Sequence, residues 1–274
     1  MQNSQYEQEY KKKVIDFFDS RNSYDNDYTI HRALPLLDIV QIKKGQKVLD
    51  MATGTGIIAI AVAQIVGSEG KVTGVDFSSG MLTQAQQKIE ELGLQNIELI
   101  EADVEYIDFN DESFDVILCS TAIVYFKDIP AALRKWYRFL KPGGVVAFSC
   151  CSEKSCGAPL IIEICEKHDI LLTNINEPTG TPKKCHHLLA EVGFKDIEVK
   201  TQQLGFYRNL EQAREWNGGW FHPRENPLLQ VSSEQMAELK AEYRQKIEAE
   251  ATEQGAWYEN LTFFVTGRKV ESKL

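Results

Sequence analysis

From residue 48 onward, short β-branched runs alternate with stretches whose apolar residues recur at helical spacing, which predicts parallel strands joined by crossover helices. Strands are expected at 48–51, 72–76, 97–100, 114–120 and 145–150, all before residue 152. A helix starts at Ile57, and a second opens at the Ser78/Ser79 caps with Met81, Leu82, Ala85, Ile89 and Leu92 on one face and stops at Gly93. Pro130 starts a third, carrying Leu133, Trp136, Tyr137 and Leu140.

Beyond Ser152 the pattern predicts helices over 160–168 and 184–192 and strands at 197–200 and 261–268, completing seven strands. Residues 206–255 are too long for a tight connection between edge strands and carry their own helix, opened by the Ser232/Gln235 box with Met236, Leu239, Tyr243 and Ile247 on one face. This insertion reads as a helical lid on an α/β domain. The chain divides as one domain into 1–47, a core over 48–205, the insertion over 206–255, and the last strand and tail over 256–274.

Composition narrows the function. With 30 Lys+Arg against 40 Asp+Glu, the net charge of −10 argues against nucleic acid as a partner. Residues 1–13 lack the apolar core of a signal peptide, and the longest apolar run, 56–66, is about half a membrane span, so a cytoplasmic protein without a membrane span is expected. The six cysteines show no C-x-x-C pair and read as reduced, mostly buried thiols; Cys150 and Cys151 read as core, and no metal spacing is present. The oligomeric state stays open.

The segment from Val48 to Gly56 is a strand running into a glycine turn and a helix, where Gly54 and Gly56 free the backbone and the helix amino terminus for a ligand. Gly54-x-Gly56-x-x-Ala59 also satisfies a relaxed dinucleotide fingerprint, with Asp76 able to hold a ribose in either case. A nicotinamide-dependent oxidoreductase is therefore one reading. Asp50 favours another, because a carboxylate beside the turn repels a pyrophosphate but suits the ammonium and sulfonium of S-adenosylmethionine. Asp103 is placed to accept from an adenine amino group, Val104 to offer its amide, and Phe77 and Met81 to flank the ring.

Together these pieces resemble a class I S-adenosylmethionine-dependent methyltransferase of the Rossmann-like fold. The resemblance rests on the segment 48–56, Val72-Thr-Gly-Val-Asp-Phe-Ser78 with Met81-Leu82, the segment 101–104, Phe114-Asp115-Val116-Ile117, and Leu140-Lys-Pro-Gly-Gly144, in the family's order over residues 24–150. It implies that Ala52, Thr53, Gly54, Thr55 and Gly56 hold the cofactor's amino-acid end, Asp76 its ribose, and Asp103 and Val104 its adenine, with Ser120 lining the site. Phe18-Asp19-Ser20 with Tyr24-Asp25 is similar to the ubiquinone and menaquinone C-methyltransferases, and Tyr24 joins the cofactor set on that likeness. After the fourth strand that group has an Arg-Asn pair where this chain reads Ser120-Thr-Ala-Ile-Val-Tyr-Phe126, so the resemblance implies methylation of a small metabolite at O, N or C rather than of a quinone in particular.

Such a reaction is an in-line displacement needing alignment and at most one base. His31, in a segment resembling the cofactor cover of relatives, Tyr125 after the fourth strand, and His222 in the insertion are the candidates for catalysis. Trp216, Trp220 and Phe221 either wall an apolar or aromatic acceptor or only anchor the insertion, and His186 and His187 read as helix surface. A non-catalytic cofactor-binding module is the remaining alternative. Eight of the acidic residues fall between Glu98 and Asp115 without one basic residue; Asp103 reads as a cofactor ligand and the others as a solvated rim beside the adenine site.

Overall fold

The computed structural model describes residues 2–216, 220 and 222–270. Its main sheet has seven strands: β1 (Lys47–Met51), β2 (Lys71–Asp76), β3 (Ile97–Glu101), β4 (Phe114–Ser120), β5 (Leu140–Cys151), β6 (Lys195–Gln203) and, after a side hairpin of β7 (Phe206–Arg208) and β8 (Ala256–Tyr258), the strand β9 (Leu261–Arg268). Their spatial order is β3-β2-β1-β4-β5-β9-β6. Only β9 runs antiparallel to its neighbours in this sheet, so the expected mostly parallel, Rossmann-like architecture is the observed one.

Strand alternation sorts the core into two layers. Leu49, Met51, Ile117, Cys119, Val146 and Phe148 face α6 (Ile129–Phe139) and α8 (Pro182–Val192), around the fully buried Trp136 and Phe139. Val48, Val72, Val116, Leu118 and Ala147 face α4 (Ile57–Val66). Register pairs Asp50 with Gly74 and Leu118, and Asp76 with Glu101. The carboxyl ends of β1 to β4 therefore finish together, the edge where ligands collect in open parallel sheets.

Two expectations change. The strand expected at 145–150 begins at Leu140, because Lys141-Pro-Gly-Gly144 bulges yet stays in the sheet: the Gly143 amide donates to the Lys269 carbonyl (3.0 Å) and the Lys269 amide to the Gly144 carbonyl (2.8 Å). Leu92 leaves the buried face of α5 (Ser79–Glu91), being its C-cap and 53% exposed.

Outside the sheet lie α1 (Gln2–Asp19), α2 (Asp27–Ala33) and α3 (Pro35–Asp38), before it in the chain, and α7 (Ala158–Lys167), α9 (Leu210–Ala213) and α10 (Ser233–Glu250), in its second half. Ser232 caps α10 by accepting from the Gln235 amide, a contact worth about 1 kcal/mol. Leu239 and Tyr243 then bury against α7 with Trp216, Trp220 and Leu228 as a third apolar cluster. Among the described residues no helix is long and apolar enough to cross a membrane.

Candidate active site

The turn after β1 takes three left-handed residues in five, Ala52 (φ 55°), Gly54 (φ 55°) and Gly56 (φ 78°), a run that strongly favours glycine. The two glycines serve different ends. A Cβ on Gly54 would meet nothing within 4 Å, so the backbone there borders open space, whereas one on Gly56 would come within 3.2 Å of Ala85 Cβ on α5. Gly54 thus exposes the turn, and Gly56 lets two helices pack.

Asp76, at the end of β2, accepts from the Gly54 amide (2.8 Å) and the Ser78 amide (2.9 Å), clamping two loops across the strand ends. Asp50 is 1% exposed and accepts from Thr53 Oγ1 at 2.6 Å. Burial, with the Asp76 charge behind it, pushes the Asp50 carboxyl up to about 7, and burial raises Asp76 as well. Ser120 Oγ, at the end of β4, is buried without a hydrogen-bond partner among the described residues.

These groups line one cavity. Its floor is Asp50, the Ala52-to-Thr55 turn, Asp76, Phe77, Met81, Asp103, Val104 and Ser120; Gly56 alone of the expected cofactor residues lies outside the lining, for the packing reason above. Its roof is Tyr10, Lys11, Val14 and Phe18 of α1, Tyr24, and Thr29 and Arg32 of α2. Phe18 meets Tyr24 and Tyr125 edge-on at 6.2 and 6.1 Å, and the Tyr10 hydroxyl donates to the Tyr125 carbonyl. Burial pushes the Tyr125 hydroxyl up to about 12, so it is a protonated donor or acceptor at neutral pH.

Polar pins hold the roof. Asp19 accepts from Ser78 Oγ and the Gly80 amide, Asp25 takes Thr55 Oγ1 and Lys88, and Lys11 joins Asp103 (2.6 Å), Glu105 (3.1 Å) and Glu7 (3.5 Å). The acidic stretch is likewise met by cations: Lys71 holds Glu98, Arg138 holds Asp108 and Asp111, Lys141 holds Asp115 and Lys269 holds Glu112. It is an ion-paired flank more than a bare solvated rim.

Two of the expected catalytic residues are elsewhere. α2 turns Thr29, Arg32 and Ala33 inward and leaves His31 exposed, so the reachable polar group is the neighbouring Arg32. His222 is buried in a second recess with Ile129, Pro178, Lys184 and Arg224; the Tyr6 hydroxyl donates to its carbonyl and the Arg224 amide to its Nδ1, and burial lowers its imidazole pKa. Tyr125 is in the cavity wall. Trp216 and Trp220 pack in the α7 cluster and away from the cavity, Phe221 lies outside the described residues, and His187 is paired with Glu191 on the α8 surface. Sequence reasoning missed Lys11 and Arg32; the Asn26/Thr29 capping box, which sets the phase of α2, was the signal that singles out Arg32 over His31.

Comparison with known proteins places this site in a family. Demethylmenaquinone methyltransferase of Listeria welshimeri is 39% identical over 111 residues, 40% of this chain and 47% of that protein, so the chain spans about half the length of such curated relatives. The enzyme of the same name from Geobacillus stearothermophilus is 38% identical over 186 residues, 61% of this chain and 78% of its own. A methyltransferase structure from Aquifex aeolicus, described as S-adenosylmethionine-dependent, shares the fold with a TM-score of 0.54 at 16% identity, over 90% of this chain and 95% of its own. The ubiE/COQ5 methyltransferase family model matches residues 3–161, more than half of the chain, which therefore belongs to that family.

Proposed function

We propose that this chain transfers a methyl group from S-adenosylmethionine to O, N or C of a small apolar or aromatic acceptor. The observation that carries the reading is the line of carboxylates at adjacent strand ends: Asp50, Asp76 and Asp103 border one cavity beside an open glycine turn. The residues fit the donor. Among the described residues no cation pairs with the buried Asp50 carboxylate, and an ammonium group supplies one; the orphaned Ser120 hydroxyl lacks a partner that a polar ligand offers.

When bound, the donor supplies an activated methyl on a sulfonium. The chain's own residues bind and align. Asp50 would balance the ammonium, Asp76 would accept from the ribose hydroxyls, and Asp103 and Val104 would hold the adenine between Phe77 and Met81. Phe18, Tyr24, Tyr125 and Phe126 give the remaining space aromatic walls, which supports an apolar or aromatic acceptor. The α1–α2 roof excludes water from the displacement. Tyr125 is the cavity hydroxyl placed to orient the acceptor, and His31 and His222 take no part.

Incubating the protein with S-adenosylmethionine carrying a trideuterated methyl and a cell-extract metabolite pool tests the reading by mass spectrometry. The expected product gains three deuterium atoms, and Asp76→Ala forms none. Saturable NAD binding with no response to S-adenosylhomocysteine would replace this reading with an oxidoreductase, and donor binding without product would replace it with a binding module.

A further inference from the structure

The cavity lining contains two cations with opposite fates. Lys11 is held by Glu7, Asp103 and Glu105, whereas no carboxylate among the described residues lies within ion-pair distance of Arg32. Arg32 donates to the Tyr24 hydroxyl at a long 3.4 Å and sits 5.3 Å from the centroid of the Tyr28 ring. A guanidinium offers five N–H donors in a fixed fork that matches a carboxylate. Here most of that capacity is unspent in a partly buried wall, which is costly without a counter-charge.

Its surroundings locate the missing anion. The acidic groups near enough to interact electrostatically with Arg32 are Tyr24, Tyr28, Cys151 and Cys156. Cys151 ends β5, and Cys156 follows just before α7. In the sheet order β4 lies between β1 and β5, so Arg32 stands across β4 from the Asp50–Asp76–Asp103 line that suits the donor. The neighbours are themselves braced: Asn260 Nδ2 donates to the Tyr28 hydroxyl at 2.8 Å, and Cys151 Sγ is 3.4 Å from Asn260 Oδ1. The hydrogen bond with Cys151 draws the Cys156 thiol below its ordinary value, and none of these four neighbours is a carboxylate.

Resting on the methyl-transfer reading, we infer that Arg32 is a specificity-determining residue whose guanidinium binds a negatively charged group of the methyl acceptor. The acceptor class is then an aromatic or apolar body bearing a carboxylate or an ionised acidic hydroxyl, its charge on Arg32 and its ring among Phe18, Tyr24 and Tyr125.

The test loads the full chain with S-adenosylhomocysteine and titrates matched probe pairs: aryl carboxylates against their amides, and acidic phenols against their methyl ethers. At least one anionic probe is expected to bind ten-fold or more tighter than its neutral partner. Arg32→Leu should erase that preference while changing S-adenosylhomocysteine affinity less than about three-fold, and Arg32→Lys should keep part of it. The unchanged affinity certifies that the variant is folded. A wild-type chain showing no charge preference in any pair overturns the inference. Loss of S-adenosylhomocysteine binding in Arg32→Leu, with melting temperature preserved, also overturns it, by giving Arg32 to the donor's own carboxylate. A wild type that never binds S-adenosylhomocysteine strikes the methyl-transfer reading instead.

Discussion

Two segments lie outside the sheet, and they are used in opposite ways. Residues 2–38 direct charged and polar side chains at the strand ends: Lys11 reaches Asp103, Asp19 reaches Ser78, Asp25 reaches Thr55, and Arg32 faces the cavity. The 206–255 insertion opens with β7, which pairs with β8 just after it, and buries Trp216, Trp220, Leu239 and Tyr243 on α7. The first segment is fixed by hydrogen bonds to groups that border the cavity, and the second chiefly by apolar area on α7, meeting the first at the Tyr28–Phe206 ring contact and the Tyr6–His222 hydrogen bond. An insertion's length shows that it needs a core of its own; whether an element covers a site depends on where its polar anchors land.

The contrast predicts effects of different size. Asp76→Ala strips the acceptor from the Gly54 and Ser78 amides at once and should weaken S-adenosylhomocysteine binding about a hundred-fold or more in calorimetry. Trp216→Ala in the insertion should cost about 3 kcal/mol in denaturant unfolding by opening the α7 cluster, yet leave that affinity within two-fold. A large affinity loss there would break the distinction between the two segments.

Asp50 gives a pH signature. Its folded carboxyl sits near 7 against an ordinary value of 3.8, so between about pH 4 and 7 the folded apoprotein holds the extra proton, and its stability falls as pH rises through that window. Binding an ammonium group requires that proton to leave. S-adenosylhomocysteine affinity should therefore rise with pH up to about 7, by as much as ten-fold per unit below it, and Asp50→Asn should flatten this part of the profile. The smallest effect is expected for Lys11→Met, which cuts one roof pin while Asp19 and Asp25 keep theirs. A three- to ten-fold weaker affinity with an unchanged melting midpoint, read by calorimetry and circular dichroism, would match a pin rather than a core residue.

The strands were legible because their signals are local: Val48, Val72, Val116 and Val146 repeat a buried pattern that a helix cannot use. The cofactor floor was legible for a similar reason, since its residues lie within a few positions of strand ends. The roof was not. α1 is mostly polar, with Tyr10 and Val14 the buried ones among its described side chains, so nothing along the chain says that Lys11 will meet Asp103 ninety-two positions away. His31 and Arg32 differ by one residue and so by about 100° around the helix, a distinction settled only by the capping phase of α2. Aromatic density drew attention to 216–222, but which surface those rings cover depends on α7, a non-local partner.

Hydrogen exchange with and without S-adenosylhomocysteine tests the central claim, that the donor occupies the floor cavity beneath the amino-terminal roof. Slowed exchange is expected over residues 10–33 and 52–56 and none over 233–250. No protection on adding the ligand, or protection concentrated in the insertion, would contradict it.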